Sequence, residues 1–141
     1  MRPLSLLFIC IGNTCRSPMA EAMARAIGGD RVVAYSAGLA ATGRVASSTI
    51  EALRALGYPG DGLASKGLDE VPLDGIDVAV SLIGPEGLAW LPLGAAARRV
   101  AWTIPDPYGN DPETYLAVAR TIEVRVRALL ADLLPPELPA R

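Results

Sequence analysis

The sequence predicts a three-layer α/β fold in which helices cover both faces of a four-stranded parallel sheet. Segments with strand character alternate with segments of helical periodicity, which is typical of parallel sheets with right-handed crossovers. Residues 76–83, IDVAVSLI, are nearly continuously apolar, as expected of a central strand buried on both faces. The 141 residues suit one domain, predicted at 1–134, with a proline-rich tail at 135–141.

The chain begins with a predicted strand, helix and strand. An apolar run predicts the first strand at residues 4–9, and a second strand is predicted at 31–36. Between them, a helix is predicted at 17–27, and Gly28 and Gly29 end it. Its expected buried face consists of apolar residues at helical spacing: Met19, Ala20, Met23, Ala26 and Ile27.

The next segment predicts one helix and one long connection. The helix is predicted at residues 46–56, with Ser47 or Ser48 as its cap. Its expected buried residues are Ile50, Leu53, Ala55 and Leu56. Residues 61–75 lack clear periodicity, so a connection without regular structure is expected there.

Three further elements follow the central strand. A short helix is predicted at residues 85–90, after Gly84, and a fourth strand at 98–102. The longest helix is predicted at 112–133. Its expected buried residues are Tyr115, Leu116, Ala119, Ile122, Val126, Leu129, Leu130 and Leu133. The proline-rich tail is incompatible with a helix.

Composition and charge argue against several classes of function. The net charge is -2 without a Lys/Arg cluster, which argues against a nucleic-acid-binding protein. The two cysteines and the absence of histidine exclude a disulfide framework, most zinc sites and a Cys–His catalytic pair. No apolar run approaches membrane length. We expect no signal peptide, because the first apolar run is short and leads into the loop at 12–16 without a credible cleavage site. We therefore expect a cytoplasmic protein that needs no membrane, metal or cofactor.

The stretch LSLLFICIGNTCRSPM places a thiol where a strand ends and a helix begins. The backbone N–H groups after Cys10 can converge on one point, and the helix that starts near Ser17 directs its positive end there. Arg16 adds a planar fork of donors that suits two oxygens of a phosphate. These positive groups favour the thiolate form of Cys10. They predict a nucleophile held against a bound tetrahedral anion.

Neighbouring side chains fit this interpretation. Gly12 and Asn13 suit a loop that needs positive φ angles. The hydroxyl of Ser17 can donate to the thiolate and stabilise it as a leaving group. The alternative is that Cys10 and Cys15 are core residues beside an ordinary turn.

The string from Cys10 to Pro18, CIGNTCRSP, resembles the shared signature C-x-G-N-x-C-R-S-P of low-molecular-weight protein tyrosine phosphatases and the related arsenate reductases. The resemblance runs from the first strand to the last helix and implies a low-molecular-weight phosphatase-like fold. It implies that Cys10 is the nucleophile and Arg16 a second catalytic residue. The residues implied in phosphate binding are Ile11, Gly12, Asn13, Thr14, Cys15, Arg16 and Ser17.

The resemblance also implies supporting roles. Ser36, in the Ser-Ala-Gly that ends the second strand, would hold Asn13, although a strand-end cap is an alternative. The family often has a histidine that supports this asparagine, and Leu63 stands in its place here. Cys15 would pair reversibly with Cys10 under oxidation, although it could instead be a small buried loop residue.

The departing oxygen of a phosphoester needs a proton, and without histidine a carboxylic acid is the natural donor. Asp106 is the best candidate because the prolines on both sides restrict its backbone; the alternative is a turn-forming Asp. Its segment resembles the D-P-Y loop of the phosphatases, which implies that Tyr108 lines the pocket as an aromatic wall. Asp111 competes for the role, although Pro112 beside it suggests a helix cap.

These features predict a phosphatase that forms a cysteinyl-phosphate, with a phosphorylated protein, especially at tyrosine, or a small aryl phosphate as substrate. Phosphate, arsenate and vanadate would bind as oxyanion ligands. The first alternative is an arsenate reductase that uses an external thiol or Cys15. Thioredoxin-coupled members need two further cysteines, where this chain has Ile83 and Leu91. The second alternative is a non-catalytic oxyanion-binding module.

Overall fold

The computed structural model describes residues 2–136. Its four strands are β1 (Leu4–Cys10), β2 (Val32–Gly38), β3 (Val78–Ser81) and β4 (Arg98–Ala101). Its three α-helices are α1 (Arg16–Gly28), α2 (Ser47–Ala55) and α3 (Pro112–Leu133). Short 3₁₀ helices lie at Gly29–Arg31, Leu68–Glu70 and Pro85–Trp90.

All four strands run parallel in the order β2-β1-β3-β4. The two central strands, β1 and β3, are almost fully buried, as their continuous apolar sequences predict. Cys10 is the last residue of β1 and pairs with Gly38, the last residue of β2. The thiol therefore lies at the carboxyl end of a central strand, where ligands bind in open parallel sheets.

Alternate residues of β1 divide the core into two layers. Leu6 and Phe8 belong to the larger cluster, to which all three α-helices contribute. Leu7 and Ile9 face the opposite side, where Leu68 and Leu88 of two 3₁₀ helices cover the sheet. The three-layer α/β fold with a parallel four-stranded sheet is therefore confirmed, with short 3₁₀ helices forming the third layer.

Several element boundaries differ from the predictions. The third strand is shorter than the predicted 76–83, because Ser81 donates its hydroxyl proton to the carbonyl of Gly84, 2.7 Å away, and accepts the N–H of Ile83. These bonds turn the chain out of the sheet. The connection predicted at 61–75 contains the 3₁₀ helix at Leu68–Glu70.

Two details of the predicted helices are wrong. Ala26 and Ala55 are exposed, and an alanine methyl group costs little free energy on the solvent side. Helix α2 begins after Ala46 without any side-chain cap. The hydroxyl of Thr49 instead donates to the carbonyl of Thr14 and so ties α2 to the loop after β1. Of the predicted tail, residues 137–141 lie outside the described part of the chain.

Candidate active site

Residues 11–16, which comprise the loop between β1 and α1 and the first residue of α1, are called the anion loop below. Its carbonyl groups, and that of Cys10, accept N–H groups from the segment after β2 at 2.8 to 3.1 Å. The donor and acceptor pairs are Leu39 to Cys10, Ala40 to Ile11, Thr42 to Gly12 and Ala46 to Thr14. Because the N–H and C=O of a peptide unit point in opposite directions, outward carbonyl groups turn the N–H groups towards the pocket.

A pocket of about 340 Å³ lies over this loop. The predicted site residues that line it are Cys10, Ile11, Gly12, Thr14, Cys15, Arg16, Asp106 and Tyr108. Asn13, Ser17 and Ser36, which the sequence predicts as supports, are fully buried behind it. The fold thus brings the anion loop and the segment after β4 together, although about 90 residues separate them in the chain.

Of Gly12 and Asn13, which were both expected to have positive φ angles, only Asn13 has one. Asn13 has a φ of 48°, a left-handed conformation that asparagine tolerates. Gly12 does not have a positive φ. A Cβ atom at Gly12 would lie 3.1 Å from Oγ1 of Thr14 and 3.2 Å from Cγ2 of Thr42. Close packing therefore explains this glycine better than backbone conformation.

Ser17 lies next to the thiol, with its Oγ 2.9 Å from Sγ of Cys10. The amide nitrogen of Asn13 donates to the same Oγ at 2.7 Å. An NH₂ group can only donate, so this bond occupies an acceptor site of the hydroxyl and leaves its proton for the sulfur of Cys10. The geometry matches the predicted donor role of Ser17.

The side chain of Asn13 is supported by hydrogen bonds, although the chain lacks the histidine that often supports this asparagine in the family. Its amide nitrogen donates to the hydroxyl of Ser36 at 2.9 Å, as the resemblance implied. Its Oδ1 accepts the backbone N–H of Lys66 at 2.9 Å. A main-chain donor therefore supports the amide oxygen of Asn13, while Leu63 packs against the core.

Arg16 is held in one position although its head group borders the pocket. Its side chain is 8% exposed, and one nitrogen, Nη1, donates to the carbonyl of Ile104 at 2.9 Å. The other nitrogen, Nη2, lies 3.6 Å from the carboxylate of Asp106. The planar fork is therefore oriented before any anion binds, which suits two-point contact with an oxyanion.

The two candidate acids have different environments. Asp106 is half exposed and accepts the N–H of Tyr108 at 3.1 Å, so it forms a turn and also borders the pocket. Asp111 caps α3 and accepts both the N–H and the hydroxyl of Thr114. These bonds lower the pKa of Asp111. A capping carboxylate with a lowered pKa is a poor proton donor, which favours Asp106.

Cys15 is buried and has a different partner from Cys10. Its thiol contacts the hydroxyl of Tyr115 at 3.7 Å. Burial raises the pKa of Cys15, and burial together with this contact raises the pKa of Tyr115 to about 12. Cys15 is therefore a neutral thiol near pH 7, which fits a packed residue better than a nucleophile.

The sequence reasoning missed four residues near the site: Glu21, Thr42, Lys66 and Tyr115. Glu21 is 1% exposed, and its only sequence signal is a carboxylate within the apolar run MAEAMA. Thr42 bonds the hydroxyl of Thr14 at 2.5 Å. Lys66 supports Asn13 through its backbone N–H, which no side-chain pattern reveals.

A second depression of about 590 Å³ adjoins the pocket and shares Thr14, Thr42 and Tyr108 with it. Arg44 and Asn110 give it a polar lining. Within residues 2–136, no group of acidic, histidine or cysteine side chains could hold a metal ion. In the same part of the chain, no helix is long and apolar enough to cross a membrane.

Comparison with known proteins points to one family. The family model described as low molecular weight phosphotyrosine protein phosphatase matches residues 5–136. The chain is 30% identical over 130 residues to the glutaredoxin arsenate reductase of Synechocystis sp.. The aligned region covers 91% of this chain and 97% of that relative.

Two solved structures show the same similarity. One is an arsenate reductase in the phosphate binding state, with a TM-score of 0.78, 27% identity, and coverage of 92% of this chain and 98% of the other. The other is a low molecular weight protein tyrosine phosphatase from T. tengcongensis, with a TM-score of 0.81, 27% identity, and coverage of 92% and 99%.

Proposed function

Because this chain belongs to the low molecular weight phosphotyrosine protein phosphatase family, we propose that it hydrolyses phosphomonoesters through a cysteinyl-phosphate intermediate. The preferred substrate is a phosphorylated protein, especially at tyrosine, or a small aryl phosphate. Residues 1–134 serve as the single catalytic domain. The reaction depends on a reduced thiol, so we also propose a cytoplasmic location.

The observation that carries the proposal is the meeting of Cys10, Arg16 and Asp106 in one pocket. A thiol next to an anion loop is common to both chemistries of the family. A half-exposed carboxylate beside the buried arginine is a further feature, which suits proton transfer to an ester oxygen. Ester hydrolysis needs such a donor.

The reaction proceeds in two steps. The thiolate of Cys10 attacks phosphorus, the bond from phosphorus to the ester oxygen breaks, and Asp106 gives its proton to that oxygen. Asp106 then takes a proton from water, which attacks phosphorus and releases inorganic phosphate and the thiolate. Arg16 and the N–H groups of the anion loop stabilise the equatorial oxygens as charge develops. Ser17 stabilises the thiolate when it leaves.

The pocket suits an aryl ester on the side of Tyr108. This side chain is 64% exposed and lies between the pocket and the adjoining depression. Its ring can pack against the phenyl ring of a substrate. Inorganic phosphate, arsenate and vanadate share the tetrahedral geometry that the anion loop fits, and we expect them to compete with substrate.

The second candidate is arsenate reduction, which the name of the Synechocystis relative favours. In this reaction Cys10 would bind arsenic, and a second thiol would attack the sulfur of Cys10. Arsenic(V) would leave as arsenic(III), and the two thiols would become a disulfide. The chain has only Cys10 and Cys15, and Cys15 is a buried neutral thiol. The second thiol would therefore come from an external donor such as a small thiol, or from Cys15 at a pH high enough to ionise it.

One experiment separates these candidates. Hydrolysis of p-nitrophenyl phosphate and thiol-dependent reduction of arsenate are measured on the same preparation, with Cys10→Ser as the control for both. We expect hydrolysis that Cys10→Ser abolishes, and little arsenite. Arsenite formation without hydrolysis would establish the reductase. Oxyanion binding with neither activity would indicate a non-catalytic module.

A further inference from the structure

Glu21 is a buried carboxylate that the proposed reaction does not use. It lies in α1 and is 1% exposed. Its Oε2 pairs with Arg25 at 2.7 Å, and its Oε1 accepts the hydroxyl of Ser36 at 2.5 Å and lies 3.8 Å from Nζ of Lys66. Burying a carboxylate is costly unless it is paired and hydrogen-bonded. Both carboxylate oxygens of Glu21 have partners, so this buried charge is held in one orientation.

The contacts of Glu21 close a ring behind the anion loop. The backbone N–H of Lys66 donates to Oδ1 of Asn13, and the amide nitrogen of Asn13 donates to Ser36. Ser36 donates to Glu21, whose carboxylate lies near the ammonium group of Lys66. The ring therefore contains Asn13, Ser36, Glu21 and Lys66, and only Asn13 belongs to the anion loop.

In each hydrogen bond of the ring, only one of the two groups can be the donor. A backbone N–H only donates and a carboxylate only accepts, so Lys66 and Glu21 fix the two ends. The amide oxygen of Asn13 must face Lys66, and its NH₂ group must face the serines. Ser36, which accepts from Asn13, has its single proton for Glu21.

The orientation of the Asn13 amide also determines which way the hydroxyl of Ser17 points, and Ser17 lies next to the thiol of Cys10. The second hydrogen of its NH₂ group goes to Ser17, which leaves the Ser17 proton for Cys10. If Ser36 lost its acceptor, its hydroxyl could rotate and the amide of Asn13 would lose one of its constraints. Asn13 also holds a left-handed φ of 48°, a conformation that depends on its surroundings.

We propose that Glu21, through the ring with Lys66, is a positioning residue that orients Asn13 and thereby directs the hydroxyl proton of Ser17 to the sulfur of Cys10. Glu21 touches neither substrate nor thiol. The proposal rests on the thiolate chemistry of the proposed function. It adds Glu21 as the residue that makes Ser17 the hydrogen-bond donor to the thiolate. It applies equally to phosphoryl transfer and to arsenate reduction.

The test measures the thiolate directly and needs no substrate. The rate of Cys10 alkylation by iodoacetamide is recorded between about pH 4 and pH 9, the range in which perturbed thiols titrate. Glu21→Met removes the charge and the acceptor in a side chain of similar length. We expect its half-maximal rate at a pH higher by about half to one unit, equal to a threefold to tenfold change in the thiolate equilibrium.

The direction of this change distinguishes positioning from simple electrostatics. Charged groups near Glu21 are Arg25 on its own helix and Lys66 on the connection after α2; those near Cys10 are Arg16 and Asp106. Removing a negative charge alone would favour the thiolate and move the profile to lower pH. Glu21→Gln, which keeps an oxygen acceptor for Ser36, should return the profile towards that of the wild type.

Two further variants provide the controls. Arg25→Met removes the partner of Oε2, which lies outside the ring, and should leave the profile unchanged. Ser36→Ala breaks the ring without removing the buried ion pair, and should raise the half-maximal pH even if Glu21→Met does not fold. Adding Glu21→Met to Ser36→Ala should cause no further rise in the half-maximal pH, because both substitutions break one link and only the loss of the negative charge remains.

Three results would overturn the proposal. They are a Glu21→Met profile at the wild-type pH or below it, equal shifts for Arg25→Met and Glu21→Met, and additive shifts in the double variant. Failure of the enzyme to hydrolyse any ester would not affect these measurements. The alkylation profile can therefore fail or succeed independently of the phosphatase assignment.

Discussion

The carboxylate of Asp106 lies 3.6 Å from the guanidinium group of Arg16. The arginine is buried and bonded to the carbonyl of Ile104, whereas the aspartate side chain is half exposed. A fixed cation thus stands beside a half-exposed carboxylate that borders the same pocket. When an oxyanion takes up the free N–H groups of Arg16, we expect Asp106 to turn to the leaving group.

The first prediction concerns the geometry of Arg16. Arg16→Lys keeps the charge but cannot contact both the carbonyl of Ile104 and two oxygens of an anion. We expect kcat/KM for aryl phosphate hydrolysis to fall about 100-fold to 1,000-fold, the scale of losing one preorganised donor to a transition state. Circular dichroism checks that the variant is folded. Near wild-type kinetics would remove Arg16 from the anion site.

The second prediction concerns the close approach of β2 to the anion loop. A Cβ atom at Gly38 would lie 2.6 Å from the carbonyl oxygen of Ile11 and 2.8 Å from the nitrogen of Asn13. Because backbone atoms cannot yield as a side chain can, Gly38→Ala should displace the loop. We expect at least a tenfold loss of activity and a lower melting temperature.

The control is Gly67→Ala, at the residue that bridges to Gly38. Its added methyl group would meet the side-chain carboxylate of Asp69, at 2.8 Å, which can rotate away. Activity close to that of the wild type is expected. If Gly38→Ala were equally harmless, the anion loop would be more adaptable than its packing indicates.

The sequence predicted the features that depend on local patterns. The apolar run of β1 and the glycines at the end of α1 determine structure within a few residues, and both elements are present. The prolines beside Asp106 restrict the backbone in the same local way. Even Asp111 was recognisable as a cap from Pro112. The pairing of the anion loop with Asp106 followed from the parallel sheet, which places strand ends on one edge.

The sequence could not reveal the contacts that depend on backbone atoms or on distant segments. Lys66 supports Asn13 with its N–H, which every residue except proline has, so no residue type marks the position. Gly12 was expected to supply a positive φ, but a Cβ atom there would instead crowd Thr14 and Thr42, and Thr42 is about 30 residues away in the chain. The sequence assigned no role to Glu21, because its partners Ser36 and Lys66 lie in β2 and in the connection after α2.

The third prediction concerns oxidation of the two thiols. Peroxide should oxidise Cys10 first, because burial raises the pKa of Cys15 and keeps it neutral. Cys15 can then form a disulfide with Cys10, which dithiothreitol reverses. Wild-type activity should therefore recover after reduction, while Cys15→Ala should lose activity permanently as Cys10 is oxidised to the sulfinic acid.

The pH dependence follows from the raised pKa of Cys15. A raised pKa leaves less thiolate at a given pH, so disulfide formation should become faster as the pH increases from 6 to 9. Mass spectrometry of the peptides that contain Cys10 and Cys15 follows the bond. Equal recovery of wild type and Cys15→Ala would mean that Cys15 is only a packed loop residue.

The fourth prediction concerns the ion pair of Arg2 and Asp77. Two hydrogen bonds from Arg2 and one from the N–H of Ser5 lower the pKa of Asp77. The ionised form is therefore favoured in the folded state. Its stabilisation is fully present above the unfolded pKa of about 3.9 and is lost as the pH falls through the lower folded value.

The magnitude should be small, because Arg2 is 70% exposed and solvent screens the pair. We expect Asp77→Asn to reduce the free energy of unfolding at pH 7 by about 1 kcal/mol or less. Urea titrations at pH 7 and at about pH 3 should show the difference shrinking at the acidic pH. If the difference in the free energy of unfolding were the same at both pH values, the effect would come from packing and not from charge. Arg2→Met, which removes the other partner, should show the same pH dependence as Asp77→Asn.

The last prediction concerns Asp106, which separates the two chemistries of the family. Tyrosine phenolate is a poor leaving group and needs a proton, whereas p-nitrophenolate needs it far less. Asp106→Asn should therefore lower kcat for phosphotyrosine by about 100-fold or more, and that for p-nitrophenyl phosphate by less. The amide oxygen can still accept the N–H of Tyr108, so the turn should be preserved.

Two further results are expected if Asp106 is the proton donor. The alkaline limb of the pH profile should disappear, because it reports the loss of the donor's proton. The cysteinyl-phosphate should also accumulate, since the same carboxylate activates water in the second step. Asp111→Asn is the matched control: it weakens the cap of α3 and should lower stability without changing the ratio of the two esters. Equal losses on both esters in Asp106→Asn, with the alkaline limb intact, would assign the donor to another residue, Asp111 first, and would weaken the phosphatase interpretation.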